Sequence, residues 1–156
     1  MLIKMQTLTY DFFIALSLFL ITIFVIISLF RVKIERYDEY LKIKSMERIM
    51  IDASEIWFIE GNPTYWNIND VRQLGLANDG EINLTKLEML NNLSYSKFYT
   101  LIKSSAYNIK FQLYDISGRL IFEYPNIDAN GRNVIFFDRY AIFNKSIVKV
   151  RTIVWD

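Results

Sequence analysis

The stretch Asn126-x-Asp128-x-Asn130-Gly131 carries side-chain oxygens at alternate positions and a glycine at the sixth, like the first half of a calcium-binding EF-hand loop. The twelfth position, where such a loop needs a bidentate carboxylate, is Phe137, and Asp138 lies one residue too far on. A turn built on the conformational preferences of Asn, Asp and Gly explains the stretch better, and no metal site is expected. The 156 residues include no histidine and no cysteine. That removes the commonest general base, the commonest metal ligand and the thiolate nucleophile, and with them Ser-His-Asp schemes and disulfides. No phosphate-binding glycine loop and no nucleophile elbow occurs, and carboxylates such as Asp115 and Glu123 stand in no paired context. The sequence therefore predicts no catalytic residue, no cofactor and no enzyme, and a net charge of +1 gives no pull toward nucleic acid. Three N-glycosylation triplets remain, at Asn83, Asn92 and Asn144, while Asn62-Pro-Thr is blocked by its proline.

Residues this poor in chemistry point away from catalysis and toward the elements that carry them, above all Phe12–Phe30. This run holds no charge, no Gly and no Pro, and its polar groups are the hydroxyls of Ser17, Thr22 and Ser28. At about 1.5 Å per residue it covers nearly all of a hydrocarbon core roughly 30 Å thick. Its Leu, Ile, Phe and Val residues sum to on the order of −5 kcal/mol on an insertion scale, and the hydroxyls can bond back to carbonyls one turn earlier. A spanning helix over 12–30 follows, behind a short lead of residues 1–11. The apolar run is longer than a cleaved signal uses, and Arg31-Val-Lys33 follows it where a small-residue cleavage site would stand.

From Arg31 to Glu60 the pattern becomes amphipathic, with Ile34, Tyr37, Leu41, Met46, Ile49, Met50, Ala53, Ile56 and Trp57 mostly three or four residues apart. No Gly or Pro interrupts before Gly61-Asn62-Pro63, so one helix from near Asp11 to about Ile59 is predicted, with two helices broken near Arg31 as the alternative. Residues 61–156 then form a head. Short helices are predicted from about Thr85 to Asn91 and from an N-cap at Ser96 to Lys103. From Asn108 the period changes to two, giving four consecutive antiparallel strands with turns at Ser117-Gly118 and Asn144-Lys145. The expected fold class is α+β: a long N-terminal helix, membrane-spanning in its first half and amphipathic in its second, packed on an antiparallel sheet of about four strands. Trp66 and Tyr65 read as packing residues.

Lys4-Met5-Gln6 followed by Asp11-Phe12 at the start of the apolar helix resembles archaeal type IV pilin-like proteins with class III signal peptides. Gly61-x-Pro63-x-x-Trp66, Leu74-Gly75-Leu76-Ala77 and Ile82-Asn83-x-Thr85-Lys86-Leu87 resemble their heads. The resemblance implies a processing site between Met5 and Gln6 and an assembly carboxylate at Asp11. It also implies a head outside the cell membrane and partners among other pilin subunits, met through residues 12–57. Read on its own, Asp11 is equally a helix N-cap.

Two functional readings result. One is a structural subunit, a minor pilin or pilin-like envelope protein anchored in the lipid bilayer. The other is an unprocessed single-pass protein with a small ligand- or partner-binding domain. Arg31, Lys33 and Arg36 behind the apolar run favour the second, since the positive-inside rule keeps such a flank in the cytoplasm.

Overall fold

A computed structural model describes residues 2–104 and 106–156, with side chains from residue 10 onward. The chain divides into two compact units, 1–42 and 43–156. One helix, α1 (Leu2–Ser54), belongs to both: the first unit is helical throughout its described residues, and the last turns of α1 open the second.

No glycine or proline occurs between Met1 and Glu60, so nothing in the backbone chemistry stops the ladder early. The helix nevertheless ends before the predicted Ile59, passing at Glu55–Trp57 into a single 3₁₀ turn. The crossing chain supplies the reason. Ile56 O accepts from Leu76 N at 2.8 Å and Ile59 O from Ala77 N at 3.0 Å, so carbonyls at the helix exit are bonded by another segment.

The second unit continues with β1 (Ala77–Asn78), β2 (Glu81–Ile82), α2 (Leu84–Asn91), α3 (Tyr95–Ile102), β3 (Asn108–Tyr114), β4 (Leu120–Tyr124), β5 (Val134–Phe143) and β6 (Ser146–Trp155). The predicted four-stranded antiparallel sheet is corrected to a mixed sheet of six strands in the order β1-β2-β5-β6-β3-β4. The four long strands are antiparallel as expected, but β2 runs parallel to the end of β5, pairing Glu81 with Ile142 and Ile82 with Phe143. Strands β1 and β2 have two residues each, too few for a period of two to be visible in the sequence. Their turn, Asp79-Gly80, has φ of 48° and 80°, which suits a two-residue hairpin.

Helix α3 also differs from expectation. Its N-cap is Ser94, whose hydroxyl accepts from Lys97 N at 3.4 Å, rather than Ser96. It ends at Lys103 in the left-handed region, φ 53°.

One face of the sheet is covered. Ile109, Phe111 and Leu113 of β3 and Val148, Val150, Thr152 and Val154 of β6 alternate inward and are buried against Met46, Met50, Ala53 and Trp57, with Leu87, Leu90 and Phe98 of the short helices completing the layer. Aromatic rings meet edge to face at its centre: Trp57 on Phe111 at 5.5 Å, Phe98 on Phe111 at 5.7 Å and Phe98 on Tyr124 at 5.1 Å. The indole N–H of Trp57 donates to the Thr152 hydroxyl at 3.3 Å, which satisfies both polar groups inside an apolar layer.

Candidate functional site

The feature that most constrains function is the apolar part of α1. The described residues contain one helix long and apolar enough to cross a membrane, and none of its most apolar window is buried by the chain's own fold. Phe12, Phe19, Phe24, Leu29 and Phe30 are all exposed, on every side of the helix. The hydroxyls that interrupt this surface are satisfied internally: Ser17 Oγ donates to Phe13 O, Thr22 Oγ1 to Leu18 O and Ser28 Oγ to Phe24 O, each at 2.8 Å. A helix whose backbone and side-chain donors are all paired along its own axis presents hydrocarbon alone to its surroundings. Tyr10 and Asp11 stand at one end of this surface, and at the other Arg31 pairs with Glu35 at 3.1 Å.

The residues singled out in the sequence are scattered. The candidate processing site at Met5 and Gln6 lies outside the residues whose side chains are described. Asp11 is exposed but caps nothing, because α1 begins at Leu2 and the free N–H groups of a helix belong to its first four residues. The capping reading of Asp11 is thereby corrected. Asn83 is half-buried and is the N-cap of α2, its side-chain oxygen accepting from Lys86 N at 3.1 Å. Asn92 is exposed at the end of α2, its amide donating to Glu88 O at 3.0 Å. Asn144 is exposed at φ 50° in the β5–β6 turn, beside Lys145 at φ 62°. Asn83 and Asn144 share the rim of a depression of about 550 Å³, so two of the three acceptor sites are neighbours.

The Asn126–Gly131 stretch connects β4 to β5, and packing accounts for its glycine. A Cβ at Gly131 would stand 2.5 Å from Asp156 O, so the close approach of the chain end requires a residue without one. Asp138, one residue past the loop's last ligand position, is committed elsewhere. Arg151 grips it with two hydrogen bonds, at 2.6 and 2.8 Å, on the uncovered sheet face, and this holds its carboxyl below the usual carboxylate range. Glu123 is held low in the same way by Lys110, whose ammonium lies 2.8 Å away and also donates to Ile127 O at 3.0 Å.

Two arrangements in the head have a physical cause that only the fold reveals. The ammonium of Lys86 is buried and donates to Glu60 O at 2.6 Å, to Ala77 O at 2.7 Å and to the Asn78 side-chain oxygen. Burial pushes its pKa down and the Glu60 carboxylate partly opposes this. The side chain thus ties the helix exit, β1 and α2 together through one point charge. The second is the crossing of Gly61 and Gly75. A Cβ at Gly75 would lie 2.1 Å from Gly61 N, and Trp66 Nε1 donates to Gly75 O at 2.8 Å. The Gly61, Trp66 and Gly75 positions of the head resemblance are therefore one packed junction. Tyr99 has a similar supporting role: its oxygen accepts from Ile109 N at 2.9 Å, and burial raises its pKa.

No family model, no curated protein and no solved structure matches this chain, so the resemblance to archaeal pilin-like proteins rests on the quoted residues alone.

Proposed function

We propose that this chain is a membrane-anchored structural subunit, a minor pilin or pilin-like envelope protein, assembling with other such subunits through the apolar N-terminal helix over residues 12–57 and carrying its head outside the cell membrane. The observation that carries this reading is the uncovered apolar surface of α1, which lies on the same unbroken helix as the residues rooted in the head core. A surface that is apolar all round, with its hydroxyls paired internally, suits lipid, and it equally suits packing against like helices once a subunit leaves the bilayer. Asp11 is exposed at the edge of this surface, where a carboxylate stays near water in a membrane and still reaches a neighbouring subunit in an assembly.

Mass spectrometry of the N-terminus of the native protein in membranes tests the reading. A chain that starts at Gln6 supports it, and an intact Met1 contradicts the processing it entails.

The basic flank of Arg31, Lys33 and Arg36 favours a second reading, an unprocessed single-pass protein whose domain binds a ligand or partner in the cytoplasm. Protease shaving of whole cells separates the two, because only an outside head is degraded.

A further inference from the structure

The exposed residues of α1 just beyond the apolar run are not randomly placed. Ile27, Phe30, Ile34, Tyr37 and Leu41 follow at alternating intervals of three, four, three and four residues, a series that begins at Phe13 and places an apolar side chain at every step. Inside the run this spacing carries no information, because nearly every residue there is apolar. Between 31 and 42 it does. Ile34, Tyr37 and Leu41 are all exposed among the described residues. In heptad terms they occupy positions a, d and a, while Glu35, Arg36 and Glu39 fall at b, c and f, with Val32 the one apolar residue on that outer side. The next seam positions are Lys44 and Arg48, and the buried Met46, Met50 and Ala53 occupy positions f, c and f. The seam therefore stops at Leu41, next to the limit of the first unit at residue 42.

The charges beside the seam decide what covers it. Lys33 is at g and Asp38 at the following e, and these are the two positions that meet between parallel helices in register. Two copies side by side would form this pair twice, once on each flank. Copies inserted in one membrane share their direction, so a parallel arrangement is the one available to them.

The geometry points to a second copy of this chain as the occupant: α1 forms a parallel, in-register homodimer along the seam from Phe13 to Leu41, with Lys33 of each copy paired to Asp38 of the other. This rests on the anchored reading above and adds the partner, the direction and the register. A lipid surface or a different protein against Ile34, Tyr37 and Leu41 would leave the Lys33–Asp38 spacing without a role.

The absence of native cysteine makes the test direct. Full-length protein in its membranes receives one cysteine at a time: Ile34→Cys, Tyr37→Cys and Leu41→Cys on the seam, Val32→Cys, Arg36→Cys and Glu39→Cys off it. On mild oxidation the dimer band is expected to be severalfold stronger at the three seam positions. Lys33→Glu or Asp38→Lys alone should weaken the Tyr37→Cys band, and the two together should restore it, which a merely local effect of either change would not do. Equal crosslinking at all six positions, crosslinking on the outer face, or none would overturn the inference. So would a double reversal that fails to restore the band. Resistance to alkaline carbonate extraction, measured on the same membranes, keeps the two claims apart. Protein that stays in the pellet without crosslinking refutes the dimer alone, and protein released to the supernatant refutes the anchor.

Discussion

At the scale of single residues, the head is held by a few positions where a small change meets a hard contact. Gly75 is the sharpest. With backbone 2.1 Å from where a Cβ would sit, Gly75→Ala cannot be absorbed by a side-chain rotation. It should cost about 1–3 kcal/mol or more, read as a fall in the unfolding midpoint of the detergent-solubilised protein. Lys86→Met keeps the aliphatic stem but leaves buried carbonyl acceptors unpaired, at a cost of about 1–3 kcal/mol, and the same unfolding experiment checks it. Asp138 and Glu123 set the acid side of stability. Both are held below their ordinary carboxylate range by a cation in the fold. Their contribution is therefore present above the unfolded-state pKa and is lost as pH falls through the lower folded one. Stability should decline progressively on acidification below about pH 4. Asp138→Asn should flatten that decline while lowering stability near neutrality, which a series of unfolding curves against pH will show. Little of this was legible in the sequence. A lysine in a short helix with a mixed pattern reads as solvated, and only the three converging acceptors reveal Lys86 as an internal tie. The Gly61, Trp66 and Gly75 spacing was visible as a resemblance, while its cause, a backbone crossing, needed the fold.

At the scale of elements, legibility followed periodicity. The long helix and the strands β3 to β6 were readable because each sustains one period over many residues. The turn at Asn144-Lys145 was readable because it falls between two such runs. Both residues there have positive φ, and a lysine pays for that conformation where glycine does not. Lys145→Gly should therefore raise stability by about 0.5–1 kcal/mol, seen as an upward shift of the thermal midpoint, while the Asn144 acceptor triplet stays intact. The β1–β2 hairpin escaped notice because its strands have two residues each, although Asp79-Gly80 is a recognised hairpin dipeptide and could have marked it. The ends of α1 were misjudged for a related reason. Neither its start at Leu2 nor its exit at Ser54 is marked by a glycine or proline, and at the exit a crossing segment takes over the bonding of carbonyls beyond the helix.

At the scale of the whole molecule, one helix joins an all-round apolar surface to a head with a closed aromatic core. None of the most apolar window is buried among the described residues, and an external hydrocarbon environment is the simplest physical account of such a surface. The proposed membrane around residues 12–30 underlies both the structural-subunit reading and the dimer seam. Single cysteines at Leu18 and Val25, both off the proposed seam, and beyond the run at Glu39, also off the seam, and at Tyr65, which is exposed rather than packed as expected, measure it through reaction with a membrane-impermeant maleimide in sealed vesicles and after permeabilisation. Cysteine at 18 and 25 should stay unreactive in both conditions. Cysteine at 39 and 65 should react, on the side of the membrane that the head occupies. Ready labelling at 18 and 25 in intact membranes would contradict the anchor on which the functional reading depends.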